Sequence, residues 1–165
     1  MTLLNRTTDD PLFWTGELPV TNRYTYGIAG EIFFRALKEE GRILGTYCSK
    51  CQQTYVPATS FCERCLSKLT EWVDMGLVGK IYTYTLLFKK ADGTEKSKPQ
   101  LIALIKFGNG GLIHKLMGVE LENIYIGMEV AAVLKPIKDR IGNIQDIKYF
   151  KPVTIKEKNI LKAQE

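Results

Sequence analysis

Between residues 27 and 40 the apolar side chains Ile28, Phe33, Phe34 and Leu37 recur at roughly helical spacing, and Gly41 stands where a helix is readily stopped. The spacing predicts a helix there. Upstream, Thr7-Thr-Asp-Asp-Pro-Leu-Phe-Trp14 offers capping residues and a proline suited to a first turn, closed by Gly16 and Pro19, so a short helix is expected before it. Together they predict a helical arm over residues 1–45. From Gly79 the pattern changes to that of strands. Gly79-Lys-Ile-Tyr-Thr-Tyr-Thr-Leu-Leu-Phe88 is rich in aromatic and β-branched residues, and Leu101-Ile-Ala-Leu-Ile-Lys106 follows a polar loop over residues 89–99. Gly108-Asn-Gly-Gly111 reads as a hairpin turn into a third strand over residues 112–119. A short helical or turn connection, residues 120–127, precedes a fourth strand at 129–135 and a fifth at 144–150. Five strands with a connection between the third and fourth is the order of an OB-fold barrel, expected over residues 76–152. The tail, residues 153–165, mixes Lys and Glu without an apolar stripe.

Composition narrows this picture only a little. With 45% hydrophobic and 25% charged residues, the 165-residue chain has the makings of a folded core. No apolar run approaches the ~20 residues that span a bilayer, and no basic-then-apolar leader opens the sequence, so a cytoplasmic location without membrane attachment is expected. The formal charge of +5 gathers in the C-terminal half, where residues 76–150 carry 11 basic and 7 acidic groups. Most of the basic residues are Lys. A Lys-rich surface suits phosphates, acidic partners or plain solvation, whereas base-reading proteins lean on Arg.

All four cysteines lie in one stretch, as the pairs Cys48-x-x-Cys51 and Cys62-x-x-Cys65. One such pair is ambiguous between redox, disulfide and metal chemistry. Two pairs with no cysteine left over favour a closed, tetrahedral four-thiolate shell, the preferred setting of structural zinc, over iron in the same shell or a redox disulfide. Residues 46–75 are therefore expected to form a zinc ribbon, which metal binding worth about 10–16 kcal/mol can fold with almost no core. Such knuckles usually carry Gly after the second Cys; here those positions are Gln52 and Leu66, which is expected to weaken the site somewhat.

Catalytic chemistry is sparse. His114 is the only histidine and sits in an apolar strand segment, where a packed or surface role is expected; no second histidine stands ready to form a pair. The thiols are committed to metal, and Gly108-Asn-Gly-Gly111 lacks the strand-then-helix setting of a phosphate loop. A non-catalytic binding or scaffold role is the expectation. Alternation places Tyr82, Tyr84 and Phe88 on one face with Lys80, which reads either as core or domain packing or as a platform for single-stranded nucleic acid.

The run from Phe33 through Gly41-Arg-Ile-Leu-Gly-Thr-Tyr-Cys48, with Cys51, Tyr55-Val-Pro57, Cys62, Cys65, Glu71-Trp72, Gly79-Lys-Ile-Tyr-Thr-Tyr-Thr85 and Ile126-Gly-Met-Glu-Val130, resembles the zinc-ribbon/OB-fold proteins of domain-of-unknown-function family thirty-five. The resemblance covers about residues 23–152. It implies a rubredoxin-like ribbon joined to a five-stranded barrel, binding of acyl-CoA, and association with a thiolase-fold enzyme in a hetero-oligomer. In archaeal members it implies a scaffold joining acetoacetyl-CoA thiolase to hydroxymethylglutaryl-CoA synthase. Given that implication, Lys89, Lys90, Lys96 and Lys98, crowded before Pro99, are the candidates for the CoA phosphates, the alternative being a solvated hairpin, and Phe13, Trp14, Phe33 and Phe34 are the candidate anchors for the partner, the alternative being that Phe33 and Phe34 pack the arm on its own domain. The alternative is a single-stranded nucleic-acid binder, which the lone barrel arginine, Arg140, makes less favoured.

Overall fold

The computed structural model describes residues 25–90 and 92–153; the expected first helix, with Phe13 and Trp14, and the tail from residue 154 lie outside the described residues. Helix α1, Gly27–Glu39, buries Ala29, Phe33, Ala36 and Leu37 along one stripe. It stops at Gly41, whose φ of 71° suits a left-handed cap and whose missing Cβ would meet Arg140 Nη1 and Leu134 Cδ1 at 3.0 Å. Three strands follow: β1, Leu44–Cys48, β2, Gln53–Tyr55, and β3, Glu71–Asp74, in a sheet of order β2-β1-β3.

The barrel begins with β4, Val78–Lys89, and β5, Glu95–Phe107. Both are longer than the sequence pattern suggests, because pairing continues to Lys89 opposite Glu95 through most of the expected polar loop. Pro99 is tolerated inside β5 because β6, Gly110–Lys115, pairs with β5 only from Ile102 onward. A 3-10 turn at Leu121–Asn123 leads to β7, Glu129–Leu134, and then β8, Ile147–Pro152. The expected fifth strand starts three residues late, since Ile144–Asp146 forms a 3-10 turn capped by Asn143. The sheet order β6-β5-β4-β7-β8 closes through a parallel bridge, Leu116 to Phe150, with Met117 N–H donating to Phe150 O at 2.9 Å. This is the OB arrangement.

One apolar cluster joins helix and barrel: Phe33, Leu37 and Ile43 pack with Ile81, Ile105, Val130, Ile147 and Phe150, all essentially inaccessible to solvent. The helix is thus part of the barrel's core. The ribbon is seated by a second close approach, in which a Cβ on Gly110 would lie 2.4 Å from Val56 N, and Gly111 N–H donates to Val56 O.

The helix is also held by polar chemistry. Arg140 donates to Lys135 O at 2.8 Å, which steadies its own loop, and to Lys38 O at 3.2 Å, a last-turn carbonyl that the helix itself cannot satisfy. The loop presenting Arg140 folds around Asp146, whose fully buried carboxylate accepts the N–H groups of Ile141, Gly142 and Asn143 at 3.0, 2.7 and 3.3 Å. Burial alone would raise its pKa, but these three donors and nearby Lys135 outweigh it and hold the carboxyl below its ordinary value. Asp146→Ala strands the donors and is expected to cost about 2–3 kcal/mol in urea unfolding. Because the folded-state pKa is depressed, the stabilisation is complete above the unfolded value of about 4 and is lost as pH falls through the lower folded value. The gap in stability between wild type and Asp146→Ala should therefore shrink between pH 6 and pH 3.

Candidate metal centre and ligand groove

The Sγ atoms of Cys48, Cys51, Cys62 and Cys65 all lie within 4.8 Å of one another, and those of Cys48 and Cys65 are 3.6 Å apart. A tetrahedron with Zn–S bonds of about 2.3 Å places its sulfurs about 3.8 Å from each other, so the cluster has the right size. Cys48 ends β1; Cys51 follows on the turn into β2; Cys62 and Cys65 occupy the facing turn, where Leu66 N–H donates to Cys62 O at 2.9 Å. Outer groups favour thiolates in the second knuckle. Tyr55 Oη lies 3.2 Å from Cys62 Sγ and accepts from Glu63 N–H, and the Tyr55 hydroxyl, with backbone N–H groups, brings the Cys62 thiol down to about 6. Ser67 lowers Cys65 in the same way, whereas Cys51, beside Cys65 and half-buried, is pushed up to about 12. A soft dication bound by all four would draw off the remaining protons and supply a structural cross-link between the two turns.

Gln52 and Leu66 are the non-glycine residues of the described chain with positive φ, at 51° and 57°. These are the positions after Cys51 and Cys65 where glycine is usual. The left-handed geometry is imposed regardless of the side chain, so each knuckle carries a strain of about 1–2 kcal/mol. The centre retains its shape and bears the cost.

The lysines expected to face phosphates divide. Lys90, Lys96 and Lys98 line a groove of about 810 Å³ together with Leu86, Leu101, Leu116, Met117, Val119 and Leu121. Lys96 donates to Gln100 Oε1 at 3.1 Å. Lys89 is exposed at the end of β4 opposite Glu95 and is not among the lining residues. The apolar half of the groove was not anticipated: Met117 and Leu121, about half exposed, come from the segment after β6 that passes under the β4–β5 hairpin.

The aromatic candidates also divide. Phe33 is completely buried and cannot anchor a partner, because the helical stripe that carries it faces the barrel core. Phe34 is half-buried, edge-on to Tyr26 and Phe33 at 5.2 Å. In β4 a bulge between Ile81 and Thr83 flips the alternation, so Lys80 and Tyr84 do not share a face. Tyr84 lies opposite Ala103, on the side of Ile81, while Lys80 lies opposite Lys106, which sits 4.3 Å over the Tyr82 ring. Tyr82, Tyr84 and Phe88 are nevertheless all exposed, so they do not fill the core. His114 is packed: its Nε2 is 3.3 Å from Ile144 O, its ring meets Phe150 edge-on, and burial lowers its pKa. The hydroxyl–carboxylate contact of Thr94 Oγ1 with Asp92 Oδ1 at 2.6 Å closes the exposed turn between β4 and β5.

A four-cysteine ribbon fused to an OB barrel defines a zinc-ribbon/OB-fold protein. Residues 35–71 match the family profile described as the ChsH2 rubredoxin-like zinc ribbon domain, and residues 72–135 match the ChsH2 C-terminal OB-fold domain. A "DUF35 domain-containing scaffold protein" of Methanocaldococcus jannaschii is 34% identical over 126 residues, covering 73% of this chain and 88% of that one. Its namesake in Pyrococcus furiosus is 30% identical over 65% of this chain and 79% of the other. The chain belongs to the DUF35 family. Among solved structures, a DUF35 protein of unknown function from Sulfolobus solfataricus superposes with a TM-score of 0.54 at 35% identity, over 65% of this chain and 78% of that one. A chain of an "Ltp2-ChsH2(DUF35) aldolase" shares the fold with a TM-score of 0.55 at 21% identity, over 80% of this chain and all of that one.

Purified protein should hold one tightly bound ion per chain by metal analysis. Cys48→Ser with Cys51→Ser should abolish it and lower thermal stability; full metal content in that variant would disprove the site. Gln52→Gly and Leu66→Gly should each raise the stability of the metal-loaded protein by up to about 1 kcal/mol, since relief of strain exceeds the added backbone entropy.

Proposed function

We propose that this chain is a non-catalytic scaffold subunit that binds acyl-CoA while associated with a thiolase-type enzyme. Joining acetoacetyl-CoA thiolase to hydroxymethylglutaryl-CoA synthase is the arrangement the reading favours. The observation that carries it is the groove beside the β4–β5 hairpin. CoA presents phosphates at one end and a long pantetheine arm, which carries two amides and a hydroxyl and ends in the acyl thioester, at the other. The groove offers Lys90, Lys96 and Lys98 beside Leu86, Leu116, Met117, Val119 and Leu121, and its volume lies in the range of small-molecule sites. The relatives called scaffold proteins support the non-catalytic part of the reading. So does the partner chemistry: the cysteines, the usual nucleophiles for acyl transfer, are gathered at the metal centre. No described helix is long and apolar enough to cross a membrane.

Calorimetry of the full chain with acetyl-CoA should give saturable binding, weakened about tenfold or more in Lys96→Ala with Lys98→Ala. A purified thiolase from the same cells should be retained by the immobilised chain, and the chain alone should not turn over acetoacetyl-CoA. Salt-sensitive binding of a single-stranded oligonucleotide, with neither acetyl-CoA nor the thiolase bound, would overturn the reading in favour of a nucleic-acid role.

A further inference from the structure

Gly108 and Asn109 form the two-residue turn between β5 and β6, closed by the pair Phe107 and Gly110, and Asn109 is exposed. The backbone there does not call for asparagine. The left-handed residue of the turn is Gly108, at φ 59°, whereas Asn109 is not among the residues of positive φ. What Asn109 supplies is an amide: its Nδ2 donates at 3.3 Å to the carbonyl oxygen of Gln52, the left-handed residue of the first knuckle, 57 positions away in the chain. Gly110 is fixed for a different reason. A Cβ there would lie 2.4 Å from Val56 N and 2.9 Å from Val56 Cβ, so any side chain would push the ribbon off its seat.

Two independent demands, a donor toward the knuckle and a bare backbone beside Val56, thus place asparagine directly before glycine. That order has a chemical consequence. The backbone nitrogen after an asparagine can attack the side-chain amide carbon, and a following glycine leaves the approach unhindered. Here Gly110 N would bond to Asn109 Cγ and the Cγ–Nδ2 bond would break; ammonia leaves, carrying the proton of the Gly110 amide, and a five-membered succinimide remains. Water, the one co-reactant, then opens the ring to aspartate or to isoaspartate, in which the chain runs through the former side chain. The other asparagines of the chain are followed by arginine or isoleucine.

The folded joint restrains both reacting groups. Gly111 N–H donates to Val56 O at 3.3 Å, so by alternation Gly110 N–H faces β5 and its pair Phe107, while Nδ2 is held on Gln52 O. Reaction therefore proceeds from open forms of the turn. Either product replaces a donor by a carboxylate, which only accepts, and sets its charge against the carbonyl it formerly served.

We infer that Asn109-Gly110 is a self-modifying joint between barrel and ribbon: conversion of Asn109 to aspartate or isoaspartate frees the first knuckle from the barrel. An ion held by the four thiolates opposes the reaction by keeping Gln52 O in reach of Nδ2, and the reaction in turn weakens the hold on the ion.

The full chain is incubated at mildly alkaline pH, loaded with one equivalent of zinc or with a chelator in excess, and peptides are mapped by mass spectrometry for amide-to-acid conversion, with isoaspartate read by an isoaspartyl methyltransferase. Conversion at Asn109 should outrun that at every other asparagine, and chelation should speed it about tenfold or more. Asn109→Asp should release zinc to a competing chelator about threefold or more faster than wild type. Asn109→Gln, which keeps a donor and lacks the five-membered route, should release it more slowly than the aspartate variant. Wild-type chain that has converted on ageing, separated by its added charge, should release zinc as fast as Asn109→Asp. An unmodified Asn109 after both incubations, equal rates with and without zinc, or wild-type zinc retention in both Asn109→Asp and the aged chain would each overturn the inference.

Discussion

The four-thiolate centre is the constraint on which the ribbon depends. The ribbon's own buried cluster is Cys48, Tyr55, Cys62 and Leu69, so half of it consists of metal ligands and Tyr55 is engaged with one of them. With so little apolar surface to bury, the facing turns have no other strong reason to stay together. The consequence reaches the barrel, because Val56, next to Tyr55, belongs to the main core and lies against Gly110 and Gly111 at the turn between β5 and β6. Asn109 of that same turn donates to Gln52 O in the first knuckle. An ion held by the four thiolates would fix this turn, and the turn seats one end of the barrel sheet.

At the opposite end, unequal strand lengths decide what the surface offers. β4 and β5 outrun their neighbours β7 and β6, leaving a ribbon with one face over the segment Leu116–Leu121 and one edge open. The same overhang makes a groove and a free backbone edge. A barrel whose strands ended together would have neither. Asp146 and Arg140 stabilise the far side, tying the last loop of the barrel to the end of α1. Polar chemistry here serves architecture, and the one barrel arginine is engaged with backbone carbonyls.

The periodic parts of the fold were legible in the sequence: the helix ending at Gly41, the paired C-x-x-C knuckles, and strands punctuated by glycines. What was not legible followed from tertiary facts. The bulge at Tyr82 carries no signal in composition, yet it separates Lys80 from the face of Tyr84. Phe33 and Phe34 look equivalent in a sequence, but neighbours on a helix point about 100° apart, and Phe33 is fully buried in the core while Phe34 packs against it half-buried. The lysines before Pro99 suggested an anionic ligand, while Met117 and Leu121, which complete the groove, lie about twenty residues away and are brought under the hairpin only by barrel closure.

The central claim is that this groove holds the acyl arm of CoA. Photo-crosslinking tests it most directly: an acyl-CoA analogue bearing a diazirine at the acyl end is irradiated with the full chain, and labelled peptides are mapped by mass spectrometry. The account predicts labelling around Leu86 in β4 and within residues 116–121, suppressed by excess acetyl-CoA. Labelling confined to other parts of the chain, or labelling that acetyl-CoA does not suppress, would contradict it.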